Sequence, residues 1–285
     1  MKHFFYRILC GFFLGLSIFA PGFSGSVVAI ILGVYQDLVR IASNPFKHFK
    51  RNILFCLPLG IGAVLSGVLF VFSFRLLFQT YTKAAYLLMV GLIAGNLPVL
   101  FARVRKCGFR ARYLLGAACA FAAAFAFCVL AVDLAQPPGA ESLTAGLPML
   151  ALSGLAGGAA AFIPGMSIST ILIVMGVYGK LLFVGQSLLL LELAALLPFG
   201  VFGACALAGL VLASRGIKSV FERHPGLANA LVLGFSAGSL AGILVQSLRL
   251  PDESFTWLLG GLMLAAGAGL SALFVVLGKK LQKGE

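Results

Sequence analysis

Long apolar stretches separated by short polar links dominate the pattern of this chain. They run approximately over residues 8–42, 53–79, 84–102, 113–132, 147–182, 186–214, 227–248 and 256–278. A helix needs about 20 apolar residues to span a membrane. Six of these runs therefore predict one spanning helix each, whereas the first and the fifth are too long for a single span.

The same motif interrupts both of the long runs. Residues 21–35 read PGFSGSVVAIILGVY and residues 164–178 read PGMSISTILIVMGVY, so one constant offset relates the two copies position by position. Proline and glycine break a helix, and irregular backbone at membrane depth is tolerated only inside protein or against a polar cavity. Helix breaks at matching positions of two halves are typical of the binding site of a transporter.

The repeat continues beyond the motif into the predicted spans. Gly91 and Gly95 of the first half correspond to Gly234 and Gly238 of the second, and we expect these glycines to permit close helix packing. The matching segments are 85–97 with 228–240 at the same offset, and 114–116 with 258–260 one residue further along.

We therefore predict an all-α polytopic membrane protein with a single transmembrane domain over residues 1–285. Repeat one covers about 8–135, a turn-rich linker covers 136–146, and repeat two covers about 147–278. Each repeat is a broken or re-entrant helical hairpin followed by three transmembrane helices. Because each half crosses the membrane an odd number of times, the two repeats are expected to be inverted, with their Pro-Gly turns close together near the midplane.

Composition and charge agree with a membrane protein and give it an orientation. The chain is 61% hydrophobic and only 10% charged, and its net charge of +13 lies in alternate links between the spans. The positive-inside rule then places both termini and the links around Arg51, Arg105 and Arg223 in the cytoplasm, and residues 136–144 outside it. A nucleic-acid partner is not expected, because no basic and aromatic soluble face exists.

Each break offers hydrogen-bond donors to an anion. A helix that restarts after Pro-Gly presents unpaired N–H groups, which suit a phosphate, and the neighbouring hydroxyls add donors. The alternative is that proline and glycine only kink the helices while the serines join neighbouring helices. The predicted phosphate-binding residues of the two breaks are Pro21, Gly22, Ser24, Gly25, Ser26, Pro164, Gly165, Ser167, Ser169 and Thr170.

Two charged residues within apolar runs are further candidates. Arg75 is flanked by apolar residues on both sides, and it either contacts the phosphate or extends its charge to the membrane interface. Glu192 is the only carboxylate well inside an apolar run, and it either carries a coupling proton or pairs with a basic residue.

A catalytic alternative rests on a short pattern. Residues 22–25 fit the G-x-S-G pattern around the nucleophile of rhomboid-type intramembrane proteases, but the second copy lacks the final glycine. A serine nucleophile needs a positioned base, and the three histidines lie in terminal or loop segments: His3, His48 and His224. We therefore expect no enzyme activity, and the six cysteines show no spacing typical of a metal site.

The order of these motifs resembles that of the bacterial polyprenyl-phosphate transporters over essentially the whole chain. Members carry G-x-x-x-G-x-A-D-x-x-P-G-V-S-G-G-T followed by G-x-Y-E, then G-L-x-x-G-x-x-P, and later P-G-x-S-G-S. The matching segments here are 11–35, 91–98 and 164–169. The chain departs from the pattern where the family's Asp falls on Ile18, its Gly-Thr pair on Ser26 and Val27, its Glu on Gln36, and the inner glycine of the second motif on Ile168.

The resemblance implies a flippase that moves undecaprenyl phosphate, a carrier lipid of peptidoglycan synthesis, from the outer to the cytoplasmic leaflet for recycling. It implies the bacterial cytoplasmic (inner) membrane and a lipid phosphate as the partner, and no cofactor is expected. Coupling to a proton or a sodium ion and the oligomeric state stay open. A transporter of a small soluble anion, which would need a closed aqueous cavity, remains the main alternative, ahead of an intramembrane hydrolase or a non-transporting scaffold.

Overall fold

The computed structural model describes residues 2–21, 25–43, 47–108, 110–130, 146–161, 163, 166–250 and 256–282. The regular elements of these residues are all helices, in agreement with the predicted class. They are α1 (Lys2–Phe19), α2 (Gly25–Ile31), α3 (Tyr35–Ser43), α4 (Phe49–Thr80), α5 (Thr82–Lys106), α6 (Ala111–Leu130), α7 (Leu147–Ala160), α8 (Ile168–Val174), α9 (Tyr178–Leu189), a 3₁₀ turn (Leu193–Ala195), α10 (Leu196–Arg223), α11 (Pro225–Arg249) and α12 (Trp257–Gln282).

Six described segments are long and apolar enough to cross a membrane. They are Phe49–Phe74, Thr82–Lys106, Ala111–Leu130, Leu193–Ala213, Pro225–Arg249 and Trp257–Val276. Each coincides with one of the six apolar runs from which single spans were predicted. Many large apolar side chains on these helices are exposed, as hydrocarbon around the protein allows. The protein is therefore a multi-pass membrane protein.

The two long runs are interrupted at the motif, as predicted. In the first, α1 ends at Phe19 and α2 begins at Gly25; in the second, α7 ends at Ala160 and α8 begins at Ile168. Helix α1 begins at Lys2 and its 18 residues extend about 27 Å, longer than the apolar residues alone indicated. The 14 residues of α7 reach only about 21 Å, short of a hydrocarbon core of about 30 Å.

The Gly-Val-Tyr that closes each motif is a helix stop. Gly33 and Gly176 adopt left-handed conformations, with φ of 66° and 70°. The next residue donates its N–H to a carbonyl five residues earlier, Val34 to Ala29 and Val177 to Leu172, at 3.0 Å in both copies. This bond is the signature of a Schellman motif, which requires the left-handed residue that glycine supplies. After the second stop, α9 is turned by 115° relative to α8.

Helix packing repeats in the two halves. Helix α1 packs on α4 as α7 packs on α10, and α5 packs on α12 as α11 packs on α6. The repeat relates α1, α4, α5 and α6 to α7, α10, α11 and α12. The pair α1–α4 therefore corresponds to α7–α10, and α5–α12 corresponds to α11–α6. Helices α5 and α11 also pack against each other, and they join the two halves.

Glycines set the closest of these approaches, as expected. A Cβ atom would lie 2.2 Å from the Leu264 carbonyl oxygen if placed on Gly91, and 2.0 Å from the Ala117 oxygen if placed on Gly234. The structure therefore equates Ala117 with Leu264, whereas the sequence match of 114–116 with 258–260 equates it with Gly261. Leu264 lies nearly one helical turn beyond Gly261, so either alignment turns a similar face of α12 towards α5. The contact between Gly91 and Leu264 shows which of the two alignments the structure has.

Candidate functional site

The two broken segments contact each other. The hydroxyl of Tyr178, at the start of α9, donates a 2.8 Å hydrogen bond to the carbonyl oxygen of Phe19, at the end of α1. The Tyr178 ring packs edge-on against Phe74 of α4, with centroids 6.5 Å apart, and α8 contacts α1. The described parts of the two broken segments are therefore in contact, and the approach of their Pro-Gly turns near the midplane stays a prediction.

Three hydroxyl residues of the second break are enclosed by protein. Ser167, Ser169 and Thr170 are all buried, and Ser169 is 0% exposed. The hydroxyl oxygens of Ser167 and Ser169 lie 2.6 Å apart, and Ser167 makes no side-chain capping bond to α8. A hydroxyl has one donor hydrogen, so the pair uses one hydrogen internally and leaves the other available.

Backbone N–H groups lie beside this serine pair. Helix α8 begins at Ile168, so the amides of Ile168 and Ser169 belong to its first turn, which has no intrahelical acceptor. The carbonyl of Ser167 accepts from Thr170 at 3.1 Å, which closes this turn. The second break therefore combines hydroxyl and amide donors within a few residues, inside a helix bundle.

The first break is described only in part. Pro21 is fully buried, and Gly25 is packed so that a Cβ atom on it would lie 3.3 Å from the Ser17 hydroxyl oxygen. Ser17 itself donates to the Leu14 carbonyl at 2.6 Å. Several predicted site residues lie outside the described residues: Gly22, Ser24, Pro164 and Gly165 entirely, and Ser26 and Arg75 in their side chains. Their roles stay predictions.

Glu192 lies in an exposed turn and not inside a span. It follows α9 and directly precedes the 3₁₀ turn, and its N–H donates to the Ser187 carbonyl at 2.9 Å. The apolar run at 186–214 hid this turn because the flanking residues are leucines. Leu191 takes a left-handed φ of 62°, which reverses the chain before the span begins.

Sequence reasoning did not assign a role to Tyr178. The only signal was the tyrosine that ends both motif copies, at Tyr35 and Tyr178. The two differ in the structure, because Tyr178 is 4% exposed and bonds to the end of α1 whereas Tyr35 is 40% exposed. The difference could not be read from the repeat, which predicts equivalent environments.

Comparisons with known proteins agree on one family. Residues 14–252 match the family model described as undecaprenyl phosphate translocase-like. The chain is also 26% identical over 242 residues to a polyprenyl-phosphate transporter of Staphylococcus aureus (strain NCTC 8325 / PS 47), an alignment that covers 83% of this chain and 85% of the relative. No solved structure matches. Since the family model spans most of the chain and both breaks, this protein belongs to the undecaprenyl phosphate translocase-like family.

Proposed function

We propose that this protein is a flippase that moves undecaprenyl phosphate, or a similar polyprenyl phosphate, from the outer to the cytoplasmic leaflet of the bacterial inner membrane. Membership of the family and the name of the Staphylococcus relative support the substrate class. The observation that carries the proposal is the enclosed Ser167–Ser169 pair at the start of α8, a helix that contacts α1 of the other broken segment. In this proposal the carrier lipid is returned for reuse in peptidoglycan synthesis.

The chemistry of the lipid explains why such a site suits it. An anionic phosphate is costly to place in hydrocarbon unless hydrogen bonds or charges replace water around it. The hydroxyls of Ser167 and Ser169, with first-turn amides of α8, are donors of the required kind. The predicted donors of the first break and Arg75 would complete this cover. The prenyl chain needs no polar cover, so the protein has to shield only the head group.

The repeat provides a route between the leaflets. We propose that the halves are inverted relative to each other and that the broken segments are re-entrant, so that access alternates between the two sides of the membrane around one site. The matching helix pairs of the two halves, α1–α4 with α7–α10, and the turn of 115° between α8 and α9 support this.

Transport by the purified protein in vesicles tests the proposal. A fluorescent polyprenyl phosphate is placed in both leaflets, and a membrane-impermeant reductant quenches the outer leaflet. We expect complete quenching only in vesicles that contain the protein, and unchanged partial quenching for the neutral polyprenol. Entry of inorganic phosphate without any lipid movement would instead favour the soluble-anion transporter.

Coupling through Glu192 is a further part of the proposal. Its exposed position immediately before the Leu193–Ala213 span leaves its carboxylate uncovered by protein, as exchange of a proton requires. We expect an imposed proton or sodium gradient to accelerate lipid movement in the parent and not in Glu192→Gln, whose basal rate should be unchanged. Equal acceleration of both proteins would place the coupling elsewhere.

A further inference from the structure

An apolar groove of about 490 Å³ opens beside the second break. Residues of the break, α6, α10 and α11 line it, and its wall is almost wholly apolar. The lining includes Ile163 and Met166 of the break, Ala213 and Gly216 of α10, and Val232 and Phe235 of α11. Its volume lies within the range of about 300–1,000 Å³ that ligand pockets occupy.

The first half carries larger side chains at the equivalent positions of α4. Where the second half has Ala213 and Gly216, the first has Phe70 and Ser73 at the matching places of the repeat. The ring of Phe70 stacks on Phe74 and on Phe19, with centroids 4.2 Å and 5.8 Å apart, and Phe70 is buried. Small residues on α10 thus keep open in the second half a crevice that aromatic rings fill in the first.

Building on the proposed function, we infer that this groove holds the part of the prenyl chain next to the phosphate. Met166 lines the groove and directly precedes Ser167 in the chain, so the groove reaches the residue next to the buried serine pair. A polar solute would find hardly any hydrogen-bond partner on this wall, whereas a hydrocarbon chain needs none. The groove and the serine pair therefore suit the two parts of one lipid phosphate.

The charge of the adjoining segment favours an anionic lipid over a zwitterionic one. The last nine residues of α10, 215–223, contain three basic residues and one acidic residue in sequence. Basic residues near a membrane surface attract anionic lipids. The groove is continuous with this segment through Gly216, Val220 and Phe221. A polyprenyl phosphate carries both the negative charge and the long apolar chain that these features require.

Filling the groove without disturbing the protein tests the inference. Gly216 is exposed, and a Cβ atom on it would meet nothing within 4 Å. Leucine also has a higher helix propensity than glycine. In Gly216→Leu we expect binding of undecaprenyl phosphate to weaken about tenfold, because the new side chain displaces a short stretch of buried chain. Binding of inorganic phosphate to the same variant should equal that of the parent.

The control is Gly200→Leu, in the same helix. Gly200 is also exposed and has no atom within 4 Å of a Cβ, but it does not line the groove. Its binding of undecaprenyl phosphate should be that of the parent. A second measurement uses the unaltered chain. A polyprenyl phosphate with a photoreactive group in its first isoprene units should label Met166 or Phe235.

The outcomes separate this inference from the function on which it rests. If the parent binds undecaprenyl phosphate and Gly216→Leu binds it equally well, or the photoreactive label falls outside the groove, the groove inference is wrong and the proposed function stands. A loss in Gly216→Leu that is equal for inorganic phosphate also overturns the inference, as does an equal loss for phosphatidylglycerol. If the parent binds no polyprenyl phosphate, both proposals fail.

Discussion

The hydroxyls of Ser167 and Ser169 differ from those of other buried serines in what they bond. Ser66, Ser153 and Ser239 each donate to a carbonyl three or four residues earlier in their own helix. Such a local bond satisfies the hydroxyl without any ligand. Ser167 and Ser169 bond to each other instead and retain a donor hydrogen. This contrast leaves the pair a donor for a ligand, as the proposed binding role requires.

Replacing both serines should therefore weaken binding more than it weakens the fold. In the double variant Ser167→Ala, Ser169→Ala we expect affinity for undecaprenyl phosphate to fall about tenfold or more, since a hydrogen bond to a charged group contributes about 1.5 to 3 kcal/mol. Equilibrium binding to the purified variants measures this. Ser153→Ala is the matched control, and an equal loss there would show that the serine pair has only a structural role.

Tyr178 gives a second prediction at the residue scale. Tyr178→Phe keeps the ring against Phe74 but removes the donor to the Phe19 carbonyl. Leaving a buried acceptor without its partner costs about 1 to 3 kcal/mol. We expect the thermal unfolding midpoint in detergent to fall, whereas the equivalent Tyr35→Phe, at an exposed site, should leave it unchanged. Equal midpoints for both variants would mean that this bond does not hold the breaks together.

At the scale of elements, the repeated motif specifies a short helix with a defined start and stop. Helices α2 and α8 have seven residues each and end in the same glycine turn. An isolated helix of this length is not stable in water, so packing must hold it. Helix α8 contacts α1, α6, α7 and α11, and all its residues from Ser169 to Val174 are buried. The short helix is thus placed by its neighbours and delimited by its own sequence.

The glycine stops can be tested directly. Gly33→Ala and Gly176→Ala should each destabilise the protein by about 1 to 2 kcal/mol, because an L-residue pays that cost in the left-handed conformation. Gly203→Ala is the control: it lies within a helix with no atom within 4 Å of a Cβ, and should be neutral or stabilising. Unfolding in denaturant measures the stability of all three variants. An unchanged stability of Gly176→Ala would argue against a required left-handed conformation at this turn.

At the scale of the whole molecule, the halves share one set of helix contacts but differ in their crevices. Helix α9 of the second half packs on α4 of the first half. It places Tyr178 against Phe74, where aromatic rings fill the first half. The groove between α10 and α11 stays open. The two halves therefore differ in side-chain volume at equivalent places of the repeat.

The basic links predict the membrane topology of the whole molecule. Basic residues follow the start of α4 at Arg51 and end α10 at Arg223, so the two equivalent helices should cross in opposite directions. Reporters fused after Arg105 and after Arg223 should be active only in the cytoplasm, and one within residues 136–144 only outside it. A reporter after Arg105 that works only outside would overturn the inverted arrangement.

The sequence by itself determined the spans, the breaks and the repeat. Hydrocarbon requires about 20 apolar residues for each span, so run length alone located the six spanning segments. Proline and glycine act on the backbone locally, so the motif located both breaks. Family membership also followed from the motif order, and the comparisons confirmed it.

The tertiary structure decided what the repeat could not distinguish. Equivalent sequences predict equivalent environments, yet Tyr178 is buried and Tyr35 is exposed, because α9 packs against α4 of the other half and encloses Tyr178 there. Glu192 reads as intramembrane but lies in an exposed turn, since leucines flank it whether the chain spans or reverses. The groove depends on side-chain volumes at helix contacts, which periodicity does not encode: Phe70 fills its crevice, and Ala213 leaves the equivalent one open.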